Sequence, residues 1–172
     1  MKRYSVLVLL LALVLITCTA CSSSKNIYEN KEHHYRVDFP DNWKIEKEKP
    51  RGKIIRAIAP NAAAEIVIRA FPVSKESQEF TPDQLAKIIL KKGQTVPTGM
   101  LIEDSGETAI AGHKAVWFLH SVTDGKPVEY LLVYEVLGPV HTYQISMFGT
   151  KADYAQNRKQ FEELLTSFTV IQ

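Results

Sequence analysis

The chain has 172 residues, 45% of them hydrophobic, with 21 Lys and Arg against 19 Asp and Glu. Two basic residues and no acid lie in the first 20 residues, so a chain beginning at Cys21 has 19 of each sign and a formal charge of zero. The remaining length of about 150 residues suits one globular domain. This composition argues against intrinsic disorder, a disulfide framework and nucleic-acid binding through a strongly basic surface.

The first 20 residues have the pattern of a bacterial signal peptide. Lys2 and Arg3 precede an unbroken apolar run over residues 6–16. At 1.5 Å per residue this run covers only a little over half of a hydrocarbon core of about 30 Å, so it is short for a membrane span. Small residues up to Ala20 then lead into Cys21. This resembles the lipobox of bacterial lipoproteins, which are cut just before a cysteine that carries diacylglycerol.

The position of the cut has an alternative. Cys18 stands where a lipobox usually has an aliphatic residue, and a cut before Cys18 would place Thr17 at the cleavage site. Ala20 fits better, so we predict a signal peptide over 1–20 and lipidation of Cys21, with ordinary secretion or an uncleaved anchor as further alternatives. The C-x-x-C spacing is also typical of redox or metal sites. Cleavage would remove one of these cysteines and acylation would occupy the other sulfur.

Lipidation predicts where the protein resides. Each buried methylene contributes about 0.8 kcal/mol, so two or three acyl chains hold a domain almost permanently at a membrane. We predict that 21–32 comprises the lipidated cysteine and a flexible tether, and that 33–172 is a single domain. The residue after the predicted lipidated cysteine is Ser22 and not Asp, a pattern that resembles lipoproteins sorted to the outer membrane. The expected location is therefore the periplasmic side of an outer membrane, or otherwise the outer face of the cytoplasmic membrane.

The first half of the domain is predicted to form four short strands and a helix. Alternating apolar residues and intervening turns place the strands at 34–39, 43–46, 53–59 and 65–71, in an antiparallel meander. The helix is predicted over Thr81–Gly93. Thr81 and Gln84 have capping-box spacing, Pro82 occupies the first helical position, and Gly93 is expected to take a left-handed conformation at the exit.

The second half is predicted to be strands followed by a helix. The strands are expected at 101–110, interrupted by a turn at 104–106, and at 114–123, 128–137 and 140–148. Both faces of 114–123 are apolar, which predicts a position near the sheet centre. The last helix is predicted over 151–167, capped by Thr150 and Asp153. Its apolar side is expected to be buried and consists of Tyr154, Phe161, Leu164, Leu165 and Phe168.

Three segments carry a resemblance to a known fold: 35–43 (YRVDFPDNW), 110–115 (IAGHKA) and 154–168. With the order of elements, they resemble the PsbP-like fold. That fold is named for an extrinsic subunit of the photosynthetic oxygen-evolving complex and is shared with a Ran-binding nuclear import factor and with DcrB-like bacterial envelope proteins. The resemblance covers most of 33–172 and implies an α+β class, with an antiparallel β-sheet and helices packed on its faces in an α/β/α sandwich. It implies no catalytic residues.

The sequence contains no recognisable catalytic or cofactor motif. No serine lies in G-x-S-x-G, and the glycines form neither a phosphate loop nor a dinucleotide fingerprint. Glu103, Asp104 and Glu107 cluster, but a solvated turn is a simpler interpretation than an acid–base pair. We therefore predict that the chain has no catalytic residue, binds no cofactor and is not an enzyme.

The five histidines do not predict a metal site. His33 and His34 are adjacent, so on a strand they point to opposite faces, and we expect both to be exposed where the strand begins. His113 and His120 are an odd number of residues apart, which also places them on opposite faces. His141 has no helical partner or nearby cysteine, whereas a structural zinc site needs about four ligands.

Three functional hypotheses follow, and the third is a purely structural envelope protein. The first is a noncatalytic binding or accessory module of the envelope, anchored in membrane lipid through acylated Cys21, with an envelope protein as partner and no nucleic acid. The second is a small-molecule carrier or hydrolase with a cleft between sheet and helix. The aromatic residues of the hairpin strands and the basic residues of 44–56 do not distinguish these hypotheses. The aromatics are expected to lie under helices, and the basic residues are expected to be solvated.

Overall fold

The computed structural model describes residues 26–47, 54–123 and 129–171. These residues form ten strands, two α-helices and a short 3₁₀ helix, Ser77–Glu79. The helices are α1 (Pro82–Gly93) and α2 (Lys151–Ser167). The strands are β1 (Asn26–Asn30), β2 (Tyr35–Phe39), β3 (Lys44–Lys47), β4 (Ile54–Ile58), β5 (Ala64–Pro72), β6 (Met100–Ile110), β7 (His113–Val122), β8 (Glu129–Leu137), β9 (His141–Thr150) and β10 (Thr169–Val170).

Seven strands form one antiparallel sheet in the order β3-β4-β5-β9-β8-β7-β6. The α+β class and the antiparallel sheet are therefore confirmed. β9 pairs with β5 along its length, from Ala64↔Gly149 to Pro72↔His141, and so joins the two halves of the chain. The composition of β7 predicted a central position, but this strand is second from the edge of the sheet. Its two apolar faces have another cause, because one face packs against α1 and the other contributes Ala115, Trp117 and Leu119 to the main core.

A second sheet of three strands, in the order β1-β2-β10, corrects the N-terminal prediction. The predicted tether over 21–32 overlaps β1, which pairs with β2 from Asn26↔Phe39 to Asn30↔Tyr35. The ring of Tyr28 packs against those of Tyr35 and Phe39, with centroids 5.9 and 6.4 Å apart, and this contact secures the strand. β2 thus belongs to this sheet and not to the predicted meander. Residues 21–25 lie outside the described part of the chain.

The helix α2 covers one face of the large sheet, with its predicted apolar side inward. Phe161, Leu164 and Phe168 are buried there, and the ring of Phe168 stacks on Tyr35 at 5.7 Å. Packing α2 against both sheets makes one continuous core. The capping box of Thr150 and Asp153 is present as predicted.

The shorter helix α1 packs on the opposite face, against β7 and β6. Its N-terminal capping box of Thr81 and Gln84 is present, and Asp83 forms an ion pair with Lys114 at 3.1 Å. A small buried cluster holds this helix to the sheet and consists of Ala86, Val116, Phe118 and Leu137. Because α1 lies over this end of the sheet, none of the described helices covers β9 and β5 on that face.

Two local predictions are wrong for identifiable reasons. Gly93 lacks the left-handed conformation and is the last helical residue, followed by Gln94 with φ −71°. A Cβ atom at Gly93 would overlap the ring of Phe118, so close approach of helix and strand accounts for this glycine. The predicted turn at 104–106 is instead part of continuous β6, where the register shifts between Ile102 and Asp104. Glu103 is the extra residue at this shift, and 104–106 pair in regular register with β7.

Candidate functional site

A cleft of about 550 Å³ opens beside α1, on the face of the large sheet that this helix leaves uncovered. Its floor is the exposed side of β7, β8 and β9, and its wall is the end of α1 with the loop leading to β6. Phe118, Leu131 and Val133 form the apolar floor. The wall and rim consist of Ile89, Lys92, Gly93, Thr95, Val96, Pro97 and Met100.

Strand register explains why these residues share the cleft. Phe118 pairs with Val133 across β7 and β8, and Val133 pairs with Ser146 of β9. Side chains alternate between faces along a strand, so Leu131 and Glu135 lie on the same face as Val133. The residues between them, Leu132 and Tyr134, pack toward α2 in the main core.

His120 forms one end of the cleft. Its side chain is 8% exposed, and its ring stacks on that of Phe118 at 5.8 Å. The Nδ1 atom is buried and has no hydrogen-bond partner among the described residues. Burial lowers the pKa of His120, so the imidazole is neutral near pH 7. A neutral ring has one donor and one acceptor nitrogen, and part of this capacity is unused.

Glu135 forms the other end and belongs to a chain of hydrogen bonds across three strands. The Nε2 atom of Gln144 donates to Oε1 of Glu135 at 2.7 Å, and Arg69 donates to Oε1 of Gln144 at 3.1 Å. Burial raises the pKa of Glu135, and the hydrogen bond from Gln144 partly opposes that shift. The carboxyl group is thus a partly desolvated acceptor, and Gln144 connects it to Arg69.

The two ends are too far apart for direct proton transfer. His120 pairs with Leu131 on the neighbouring strand, and Glu135 lies four residues beyond Leu131. Four residues of strand span about 13 Å, far beyond hydrogen-bond reach. The cleft is therefore apolar in the middle and polar at both ends, an arrangement suited to binding.

Three other histidines meet elsewhere, contrary to the sequence analysis. His33 and His34 lie in the turn between β1 and β2, and their rings are 5.3 and 5.8 Å from that of His141. His33, expected to be exposed, is 4% exposed. The turn folds onto the start of β9, which sequence spacing could not reveal. Within the three described ranges, no group of three or more His, Cys, Asp or Glu side chains could hold a metal ion.

The acidic cluster does not line the cleft. Glu103 accepts a hydrogen bond from Ser121 at 2.5 Å, and Glu107 forms an ion pair with Lys114 at 2.5 Å. These are side-chain pairs along β6 and β7, in keeping with the solvated interpretation. The hairpin aromatics are half-buried or buried, and Tyr134 packs on Phe161 of α2 with centroids 6.0 Å apart.

Cys21, the predicted lipidation site, lies outside the described residues. The apolar run at 6–16 lies outside them as well. Among the residues that are described, none of the helices has the length and apolar character needed to cross a membrane.

Comparison with known proteins gives matches to solved structures. No protein-family model and no curated protein matches this sequence. Cyanobacterial PsbP (CyanoP) from Synechocystis sp. PCC 6803 aligns over 86% of this chain and 93% of its own, with a TM-score of 0.63 and 11% identity. The chain has the PsbP-like fold.

Other PsbP-like matches come from different bacteria. LpqN, described as involved in cell envelope biogenesis of Mycobacterium tuberculosis, aligns over 87% of this chain and 91% of its own, with a TM-score of 0.64 and 13% identity. A protein from Bacteroides thetaiotaomicron aligns over 87% of this chain, with a TM-score of 0.62 and 12% identity, and the chain spans about half (49%) of its length. At such identities the PsbP-like fold is shared, and function must be argued from the site.

The sequence predicts a cleft between sheet and helix only as an alternative, and it does not identify the residues of that cleft. Glu135 and His120 were the available signals, since each is a polar residue inside a strongly apolar strand. Their common face became visible only with the register of β7 and β8 and the position of α1.

Proposed function

We propose that this chain is a lipid-anchored protein of the bacterial cell envelope, and that its PsbP-like domain is a noncatalytic binding module that uses the cleft beside α1. The observation that carries the binding role is His120, a buried imidazole at the end of an apolar cleft. Its Nδ1 has no hydrogen-bond partner in the part of the chain that the structure describes. Ligand sites are typically concave and mostly apolar, with a few polar groups that orient the ligand.

The anchor is supported by the leader sequence. The apolar run at 6–16 and the lipobox-like residues before Cys21 favour acylation of that cysteine. The fold shared with LpqN, a protein described as involved in cell envelope biogenesis, is compatible with an envelope location. Mass spectrometry of the mature N-terminus tests the proposal, with a diacylglycerol-modified Cys21 as the expected result. An unmodified cysteine, or a cut at another position, would refute it.

The noncatalytic role is supported by the separation of His120 and Glu135. A general acid and base must both reach the reacting group, and the backbone positions of these two residues are about 13 Å apart along the strand. Among the described residues that line the cleft, the one carboxylate is that of Glu135, at the opposite end from His120. Hydrolysis through this pair is thus a poor explanation of the cleft.

Photo-crosslinking in cells tests the binding role. A photoreactive amino acid replaces Val96, which lines the cleft from the loop after α1, and the matched control replaces Thr98, an exposed residue of the same loop outside the cleft. We expect one defined envelope partner or ligand to be captured from position 96 and not from 98. Equal capture from both positions, or none from 96, would count against the cleft as the binding site.

A small-molecule carrier is the second candidate, and the size of the cleft favours it. A volume of about 550 Å³ lies within the usual range for ligand sites, roughly 300–1,000 Å³. Native mass spectrometry of the chain extracted from its membrane should show a stoichiometric ligand. Repeated absence of such a ligand would leave a protein partner as the better explanation.

A further inference from the structure

We propose that the cleft selects an elongated organic molecule with an apolar middle, an ammonium group that binds Glu135 and a neutral hydroxyl or carbonyl group that binds His120. This inference rests on the proposed binding role of the cleft. It specifies the chemistry at each end and the distance between the two ends.

The apolar middle is set by the floor. Phe118 and Val133 form a cross-strand pair between the two polar ends, and Ile89 of α1 faces them from the wall. A charged or strongly hydrated group placed here would lose its water without gaining a partner. A hydrocarbon segment has no hydration to lose there, and each buried methylene strengthens binding.

The position of the positive group follows from charge. Among the described residues that line the cleft, Glu135 is the one carboxylate, and it lies two positions beyond Val133 on β8. An ammonium group is therefore attracted to this end of the cleft. The Oε1 atom of Glu135 already accepts a hydrogen bond from Gln144, and its remaining lone pairs suit a further donor.

The neutral group follows from His120. Its imidazole is buried, uncharged and short of a hydrogen-bond partner, so a hydroxyl or carbonyl group of the ligand supplies what the protein lacks. A half-turn of the ring about its Cβ–Cγ bond exchanges the positions of Nδ1 and Cδ2, which brings the buried nitrogen round to the other side. The neutral ring also has two tautomers, so the nitrogen that faces the ligand can be a donor or an acceptor.

The distance between the two polar ends sets the length of ligand that can contact both. The backbone positions are about 13 Å apart along the strand, and the two side chains shorten the gap that a ligand must span. Unbranched amino alcohols with butyl, hexyl, octyl and decyl chains sample this gap. Alkylamines of the same lengths lack the hydroxyl and serve as matched ligands. The ratio of the two affinities at each chain length removes the purely apolar contribution.

Isothermal titration of the full chain, in phosphatidylcholine nanodiscs with empty nanodiscs as blank, measures each affinity. We expect the octyl amino alcohol to bind about tenfold more tightly than octylamine, which is about 1.4 kcal/mol and the size of one hydrogen bond. At butyl length the ratio should be near one, because the hydroxyl cannot reach His120. If the affinity ratio of amino alcohol to alkylamine does not change with chain length, the proposed spacing of the two ends is wrong. This test uses the parent chain alone.

Two variants assign the ends. His120→Leu should reduce the octyl ratio to about one, whereas His113→Leu, on the opposite face of β7, should leave it unchanged. Glu135→Gln should weaken the octyl amino alcohol about tenfold and leave octanol unaffected. An unchanged ratio in His120→Leu, or an unchanged amino alcohol affinity in Glu135→Gln, would refute the assignment of that end.

Failure of this inference is distinguishable from failure of the binding role. If no amino alcohol binds but the photoreactive residue at 96 captures a partner, the ligand class is wrong and the cleft remains a binding site. If the octyl amino alcohol binds the parent chain and fails to bind Val96→Trp, which fills the cleft, the ligand is placed in this cleft. Binding that survives Val96→Trp would overturn the location.

Discussion

The hydroxyl group of Tyr143 donates a hydrogen bond to the carbonyl oxygen of His33, 3.0 Å away. The same hydroxyl is 3.1 Å from the carbonyl oxygen of His34. Tyr143 belongs to β9 of the large sheet, and the two carbonyls belong to the turn that joins β1 to β2. Burial raises the pKa of Tyr143 to about 12, so the hydroxyl remains a donor at neutral pH. One side chain thus links the two sheets.

We expect Tyr143→Phe to lower the free energy of unfolding by about 1–3 kcal/mol, since it leaves buried carbonyl groups without this donor. Denaturant unfolding measures the change. Tyr154→Phe is the matched control, because the Tyr154 hydroxyl makes no hydrogen bond among the described residues and its stacking on Tyr130 is retained. Equal stability of Tyr143→Phe and the parent chain would show that the link contributes nothing.

The fully buried ring of Phe161 should be the largest single contribution of α2 to the core. Phe161→Ala should cost about 3–5 kcal/mol, through lost burial and the cavity that remains. The exposed Gln156 of the same helix provides the control, and Gln156→Ala should change stability by less than about 0.5 kcal/mol. A thermal midpoint unaffected by Phe161→Ala would contradict the packing of α2.

Whether alanine at position 93 stabilises or destabilises the chain should depend on the neighbouring side chain of Phe118. Alanine in a helix is favoured over glycine by about 1 kcal/mol, but a Cβ at this position overlaps the buried ring of Phe118. Gly93→Ala should therefore destabilise the chain by about 1–3 kcal/mol, the usual cost of overpacking. In a Phe118→Leu background the same substitution should become neutral or stabilising. Additive effects in the double-mutant cycle would show that the ring is not the cause.

Glu135 should make stability depend on pH. Burial raises the pKa of Glu135 in the folded chain, so the folded state binds more protons than the unfolded state between the ordinary and the raised pKa. The stability contributed by protonated Glu135 is present below its unfolded pKa and is lost as pH rises through the folded value.

Glu135→Gln should therefore stabilise the chain at pH 8 and have a smaller effect at pH 4, because glutamine carries no charge to desolvate and can still accept from Gln144. Thermal unfolding at both values measures this difference. Glu129→Gln, on the exposed start of the same strand, should show no such dependence. A Glu135→Gln effect independent of pH would mean that desolvation of the carboxylate is not the cause.

The sequence alone was sufficient for the features that depend on near neighbours. The capping boxes at Thr81 and Thr150 need residues only three positions apart, and the apolar side of α2 follows from helical periodicity. The strands of the large sheet were predicted with small errors at their ends, because alternation and turn residues are local signals. The α+β class followed from these elements and their order.

The tertiary structure decided what depends on residues distant in sequence. Tyr143 and His33 are 110 positions apart, and their contact is part of what separates β1 and β2 from the predicted meander. The cleft required the pairing of His120 with Leu131 and the short reach of α1 over the sheet. Each polar residue looked isolated in its own strand, because a face is shared only once strands have paired. Local chemistry therefore determined the elements, and long-range packing alone determined the site.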